Sequence, residues 1–371
     1  MSRYAHITGW GTALPEHILT NHDLEQMVDT TDEWIVSRTG IRERRIAAPD
    51  QTTASLAADA ATQALKHAGV KPSEIDLIIV STSTPEHIFP ATASIVQDML
   101  GASRAGAFDL SAACTGFIFA LNMAAQAIRS GSIETAVVIG SETISRIVNW
   151  QDRNTCILFG DGAGAFVLQA SEKPGGVLEA VMHSDGSGAD VLMLPAGGSK
   201  IPTSADTVAH GLHYLYMEGR PVFRFATRVM AEGTREVVKK AGLTLDDIDL
   251  IIPHQANYRI LEAAARGLKL PMDKFVVTLD RYGNISTASI PIAAAEAAAE
   301  GRLKPGDKVV FVGFGGGLTW GALLAEWTGP LPDREDFHPE RYRLWARLRS
   351  SGLRIRRRLL AAATREKELG G

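Results

Sequence analysis

The chain has 371 residues, 45% hydrophobic and 22% charged, enough to bury a large core as one big domain or two ordinary ones. No apolar run approaches the roughly 20 residues that span a bilayer, and the N-terminus MSRYAHITGWGTALPEH lacks a secretory apolar segment, so the expected compartment is cytoplasmic. Two cysteines make no disulfide framework, and with a net charge of −4 and no basic body, no nucleic-acid partner is expected.

Along the chain, the helix SLAADAATQALKHAG (55–69) ends at a glycine, and a short polar connection leads to the β-branched run IDLIIV (75–80). An uninterrupted apolar strand indicates a sheet buried on both faces. Next, LSAACTGFIFALNMAAQAIRSG (110–131) passes from small residues at Cys114 into a helix apolar nearly all round, which belongs in the interior. The strand AVVIG (136–140) follows, and Cys156 in RNTCILFG reads as a core residue in an apolar strand. The pattern then recurs. KKAGLTLDDIDLIIP (239–253) repeats KHAGVKPSEIDLIIV (66–80) with eight identities in fifteen, at an offset of 173. The same offset sets VVFVG (309–313) on AVVIG, and the alanine-rich ASIPIAAAEAAAEGRL (288–303) on the helix behind Cys114. Two copies of one α/β unit are expected, 1–175 and 176–327, giving two sheets separated by buried helices.

At the start of a buried helix, Cys114 is expected near unpaired N–H groups and the positive helix end, which lower a thiol pKa from about 8.5; a small core residue is the alternative. DLIIPHQANYRI puts His254 just past a buried strand with Gln255 and Asn257 behind it, an odd use of a strand end unless it faces a site. GNISTAS brings Asn284 to a glycine turn before the second buried helix, so the repeat itself draws Asn284 toward Cys114. The glycine-rich FGDGAGA (159–165) and GFGGGLTWG (313–321) match neither a P-loop nor a GxGxxG opening a helix. Crowded backbone with a free N–H aimed at a reaction centre suits the second better. The ten histidines are scattered and there is no CxxC, so no metal site is expected.

Six motifs in order, TTDEWIVSRTGIRERR, DLSAACTGFIFAL, LFGDGAGA, HQANYRI, GNISTAS and FGGGLTWG, resemble the beta-ketoacyl-[acyl-carrier-protein] synthase III family of thiolase-fold condensing enzymes, over residues 1–327. The resemblance implies an α/β fold: a thiolase-like five-layer α/β/α/β/α sandwich of two pseudo-symmetric halves. It implies a catalytic Cys114, His254 and Asn284, with an oxyanion hole at the N–H groups of Cys114 and Gly316. The implied reaction is decarboxylative condensation of a short acyl-CoA with malonyl-[acyl-carrier protein] through an acyl-Cys114 intermediate, initiating fatty acid synthesis. Acyl-CoA is then a substrate, and no cofactor is implied. Trp34 and Arg153 would sandwich the CoA adenine, Arg38 hold the nucleotide and Asn257 contact pantetheine. Phe89 from the neighbouring subunit of a homodimer, with Phe159, would bound the acyl pocket. Arg224, Arg259 and Arg266 would meet the acidic carrier protein. Two alternatives stand beside this reading. One is a related acyl-CoA-dependent condensing enzyme or O- or N-acyltransferase of secondary metabolism. The other is a cysteine hydrolase with the same Cys, His, Asn order, against which the repeat and the GNISTAS context argue.

Residues 328–371 lie outside the resemblance. They hold eleven Lys or Arg against six Asp or Glu, a surplus of five, which leaves −9 for residues 1–327. Eight arginines between 341 and 360 interleave with Leu, Ile and Trp345, as a modestly amphipathic helix interrupted by SSG (350–352). A solvated, partly disordered appendage, an anionic membrane surface and an acidic partner are all open readings.

Overall fold

The computed structural model of the chain describes residues 2–329 and 337–369, with side chains described as far as 361. The N-terminal part runs β1 (Tyr4–Ala13), β2 (His17–Thr20), α1 (Asn21–Glu25), α2 (Asp32–Thr39), β3 (Glu43–Ile46), α3 (Thr53–Ala68), β4 (Leu77–Ser81), α4 (Thr92–Leu100), β5 (Gly106–Leu110), α5 (Gly116–Arg129), β6 (Thr135–Thr143), α6 (Arg153–Cys156) and β7 (Asp161–Ser171). The rest runs β8 (Gly176–Ser184), β9 (Leu192–Met193), α7 (Ala205–Ala209), β10 (Tyr216–Met217), α8 (Gly219–Lys240), β11 (Leu250–Pro253), α9 (Tyr258–Leu268), α10 (Leu279–Tyr282), α11 (Ser289–Ala299), β12 (Lys308–Gly315), β13 (Thr319–Glu326) and α12 (Pro339–Leu369).

Five strands form one sheet in the order β1-β7-β6-β4-β5, and four form another in the order β8-β13-β12-β11. The parallel pair inside each has the same register. Leu77 faces Ala136 in the first, and Leu250 faces Val309 in the second, both 173 residues on. A single bridge between Ile251 and Phe275 stands where a fifth strand of the second sheet would lie. Every residue of β6 is buried, as is every residue of β12 after Lys308, as strands covered on both faces require.

The covers follow from the helix sequences. On the outer face of the first sheet lies α3, which opens on a capping box of Thr52 and Ser55 and ends at Gly69 with φ 65°. With it lies α4, while α8 and α9 cover the outer face of the second sheet. Between the sheets sit α5 and α11, completing five layers, α/β/α/β/α. Although it belongs to the second copy, α11 rests largely on β7 and β1 of the first sheet. Its Pro291 and Ile292 lie so near β7 that a Cβ on Gly164 would fall 2.8 Å from Pro291 Cβ. Phe117, Phe166 and Trp327 meet edge-on in this layer, with ring centroids 5.1 and 5.8 Å apart.

Two expectations are corrected. Cys156 is buried, but it ends the short helix α6, capped by Asp152, rather than lying in a strand. And α12 runs unbroken through Ser350–Gly352. One glycine costs a helix only about 1 kcal/mol relative to alanine, which contacts elsewhere along it offset.

Candidate active site

The turn Ala113–Thr115 holds the nucleophile candidate, and the turn Ser286–Ala288 is its counterpart at the offset of 173. Each opens on a residue in the left-handed region, Ala113 at φ 47° and Ser286 at φ 46°, and each runs straight into a buried helix, α5 or α11. Non-glycine residues adopt this conformation at a cost of about 1–3 kcal/mol, so the surrounding packing must impose it. Gly315 shows how: a Cβ there would lie 2.7 Å from the Cys114 backbone nitrogen. Only a glycine lets β12 pass this close to the turn.

Cys114, His254, Asn284, Ser286, Phe159 and Gly316 all line one cavity of about 580 Å³. His254 follows β11, and its backbone N–H donates to Val312 O at 2.8 Å, which anchors the ring beside Phe314. The imidazole is 1% exposed, and neither ring nitrogen has a hydrogen-bond partner. Burial drops its pKa to about 3, so at neutral pH the ring is uncharged, with one N–H to give and one lone pair to offer. Asn284 is held by its backbone, whose N–H donates to Leu158 O at 2.8 Å and whose carbonyl accepts from Gly160 N–H at 3.1 Å. Its Oδ1 accepts the Ser286 N–H at 2.8 Å. An N–H pins the oxygen end, so the amide's NH2 is the donor left for a ligand.

The thiol departs from expectation. Burial pushes Cys114 up to about 12, the Ser286 hydroxyl pulls it down, and the buried Glu142 carboxyl adds to the rise. The half-buried sulfur lies in the cavity wall two residues ahead of α5, and loss of solvent there raises its pKa rather than lowering it. The resting pair is thiol and neutral imidazole.

Toward the surface the cavity is lined by Trp34, Arg38, Asn154 and Asn257. Trp34 and Arg38 share a face of α2, four residues apart, as anticipated for a helix. The Arg153 guanidinium lies 5.2 Å from the Trp34 ring centre and donates to Asp29 O at 2.7 Å. Arginine and tryptophan therefore touch each other here, and a base entering between them must part them. Asn257 caps α9, accepting from Arg259 N–H at 2.9 Å, and donates to Arg38 O at 3.1 Å. Phe89 is 84% exposed and, like Ile88, stands clear of this cavity. Arg224 joins Arg38 and Arg220 around an adjoining depression, whereas Arg259 and Arg266 are exposed on α9 outside it.

Two buried polar residues have roles that sequence reasoning missed. Gln255 does not face the site. Its Oε1 accepts from Thr278 and Leu279 N–H, and its Nε2 donates to Pro253 and Val276 carbonyls, tying the strand end behind His254 to the chain before Asn284. Glu142, at the end of β6, accepts from the hydroxyls of Thr82 and Thr84, from the Ser83 and Thr84 N–H groups and from Thr287. Burial pushes this carboxyl above the ordinary range against those bonds. Among the described residues, no three His, Cys, Asp or Glu side chains gather to hold a metal ion.

Comparison with known proteins follows the same lines. Residues 108–186 match the family model described as 3-Oxoacyl-[acyl-carrier-protein (ACP)] synthase III, and residues 238–327 match that for its C terminal part. A relative in Symbiobacterium thermophilum named beta-ketoacyl-[acyl-carrier-protein] synthase III is 58% identical over 321 residues, 86% of this chain and 97% of its own length. One of that name in Desulfitobacterium hafniense is 54% identical over 322 residues, 87% of this chain and 97% of its own. The crystal structure of 3-oxoacyl-[acyl-carrier-protein] synthase III from Aquifex aeolicus superposes with a TM-score of 0.81 at 46% identity, over 87% of this chain and 100% of that one.

Proposed function

The chain belongs to the 3-oxoacyl-[acyl-carrier-protein] synthase III family, whose reaction joins a short acyl-CoA to malonyl-[acyl-carrier protein] at the start of fatty acid synthesis, and on that premise we propose how its residues divide the work. The observation that carries the proposal is the convergence of Cys114, His254 and Asn284, from both copies of the repeat, on one cavity. The division of the copies at 175 and 176 is part of the same reading, supported by strand membership in the two sheets.

In the first half-reaction the Cys114 sulfur attacks the thioester carbonyl, forming acyl-Cys114, and its proton leaves with the CoA sulfur. The Ser286 hydroxyl and the start of α5 stabilise negative charge on sulfur as it develops, which matters because the resting group is a thiol. The oxyanion is taken by the N–H groups of Cys114 and Gly316. Malonyl-[acyl-carrier protein] then loses CO2. Its thioester oxygen becomes an enolate, which accepts hydrogen bonds from the neutral His254 N–H and the Asn284 NH2. The carbanion carbon attacks acyl-Cys114, and the departing thiolate takes a proton from solvent. Decarboxylation supplies the electron pair for the new bond, so the proposed steps use no metal or redox group.

CoA would lie along Trp34, Arg38 and Asn257, displacing Arg153 from the tryptophan to admit adenine. Arg224 and Arg220 beside the mouth, with Arg259 and Arg266 on α9, would receive the acidic carrier protein. Phe159 bounds the acyl end, and the exposed Phe89 would close the pocket of a partner subunit in a homodimer. Among the described residues no helix is long and apolar enough to cross a membrane. Intact-protein mass spectrometry after acyl-CoA incubation tests the core of this scheme: one acyl adduct, mapped to Cys114, is expected on the native chain and none on Cys114→Ser. An adduct on Cys156 would overturn it.

A further inference from the structure

The C-terminal helix begins beyond residue 327, where the match to the family model ends, and it docks onto the body as far as Ser350, past which every described side chain is exposed. Pro339, Ala346 and Ser350 are buried, and Arg343 joins them as an ion pair with Asp59 of α3 at 2.5 Å. The Ser350 hydroxyl donates to Asp98 of α4 at 2.5 Å. These positions recur at helical spacing and form one stripe, the face against α3 and α4. Directly opposite, at 100° per residue, stand Leu344, Leu348, Ile355 and Leu359, each between 58% and 66% exposed, with Trp345 beside them at 71%. Arg347, Arg354 and Arg358 flank this apolar stripe on one side, and Arg349 and Arg356 on the other, all exposed. Between residues 341 and 361 there is no acidic side chain.

We propose that α12 lays the enzyme on an anionic lipid bilayer, its leucines, isoleucine and tryptophan entering the headgroup boundary while the flanking arginines meet phosphates. An apolar stripe between two cationic rows, on a helix too charged to span, is the pattern of an interfacial helix. The stripe from Leu344 to Leu359 runs straight for about 23 Å, which suits a flat, continuous partner. Charge argues the same way. Residues 1–327 carry −9, so an anionic surface repels the body and attracts this helix, setting one orientation of approach. The acidic carrier protein has its cations at the cavity mouth, on α8 and α9, whereas α12 lies on the outer cover of the other sheet.

The test uses the full chain with vesicles of phosphatidylglycerol and phosphatidylcholine in equal parts, and of phosphatidylcholine alone, at low and high salt. Binding is expected to the anionic vesicles only, and to fall at least tenfold between about 50 and 500 mM NaCl as the Debye length shrinks. The double variant Leu348→Glu and Ile355→Glu should lose at least tenfold in vesicle binding, with its melting temperature and Cys114 acylation unchanged. Equal binding by the variant, equal binding to both vesicle types, or no binding would overturn the proposal. So would a variant that changes only the sedimentation coefficient in lipid-free solution, which would give the stripe to a second copy. A variant that weakens only carrier-protein binding would likewise overturn it.

Discussion

Replacing Gly315 with alanine tests whether backbone packing aims the nucleophile. The added Cβ would lie 2.7 Å from Cys114 N, 3.1 Å from Ala113 Cβ and 3.3 Å from Cys114 Cβ, where carbon contacts are comfortable at about 3.5–4.0 Å. None of these neighbours is the end of a flexible side chain. Ala113 already holds a strained φ of 47°, and Gly315 is paired to Thr319 of β13. The turn must therefore yield by about 0.5–1 Å, carrying the sulfur with it. Overpacking of this kind costs about 1–3 kcal/mol, and a misplacement near 1 Å costs on the order of a hundredfold in rate. Gly315→Ala should thus melt a few degrees lower and acylate about a hundredfold more slowly, followed by time-resolved intact mass with an acyl-CoA. Gly352→Ala is the control, because nothing lies within 4 Å of its added Cβ. Acylation of Gly315→Ala within threefold of the native rate would refute the reasoning.

The thiol's position, pushed up to about 12, makes the protonated form dominant at neutral pH, so alkylation of free Cys114 by iodoacetamide should rise about tenfold per pH unit from 7 to 10. A plateau below pH 8.5 would mean that the helix end prevails over burial after all. His254→Ala and Asn284→Ala should each still acylate Cys114 but lose malonyl decarboxylation by about a hundredfold or more, because their donors serve the enolate. Normal decarboxylation with failed acylation in either variant would reverse the roles.

Much of the architecture is legible because duplication writes it twice: the offset of 173 predicts the paired registers, and it carries Cys114 and Asn284 to neighbouring turns. What escapes is decided by solvent and by long-range bonds. Gln255 and His254 are adjacent and both about 1% exposed, yet the side chain of one makes four protein hydrogen bonds and that of the other none. Nothing in HQAN separates them. Ser286 reaches the sulfur only through a left-handed turn that favours glycine, so a serine there gives no warning. The upward push on the thiol is not legible, because position relative to a helix is visible in sequence, whereas enclosure is not. The continuity of α12 was missed because local propensity at Ser350–Gly352 says nothing of the ties that Ser350 and Arg343 make to the body.

The crossing of α11 onto the first sheet has a consequence for how the molecule comes apart. A chain cut after residue 175 would strip β1 and β7 of their cover by α11, whose Pro291 lies against Gly164 of β7 and whose buried Ile292 packs with Leu14; burying one side chain of that size is worth about 1.5–3 kcal/mol. Against a net domain stability of about 5–15 kcal/mol, losing that cover is a sizeable fraction. The sequence pattern is doubled, but the inner surface between the two sheets is held in common. Heat or denaturant should meet residues 1–327 as a single cooperative system, melting in one transition rather than half by half.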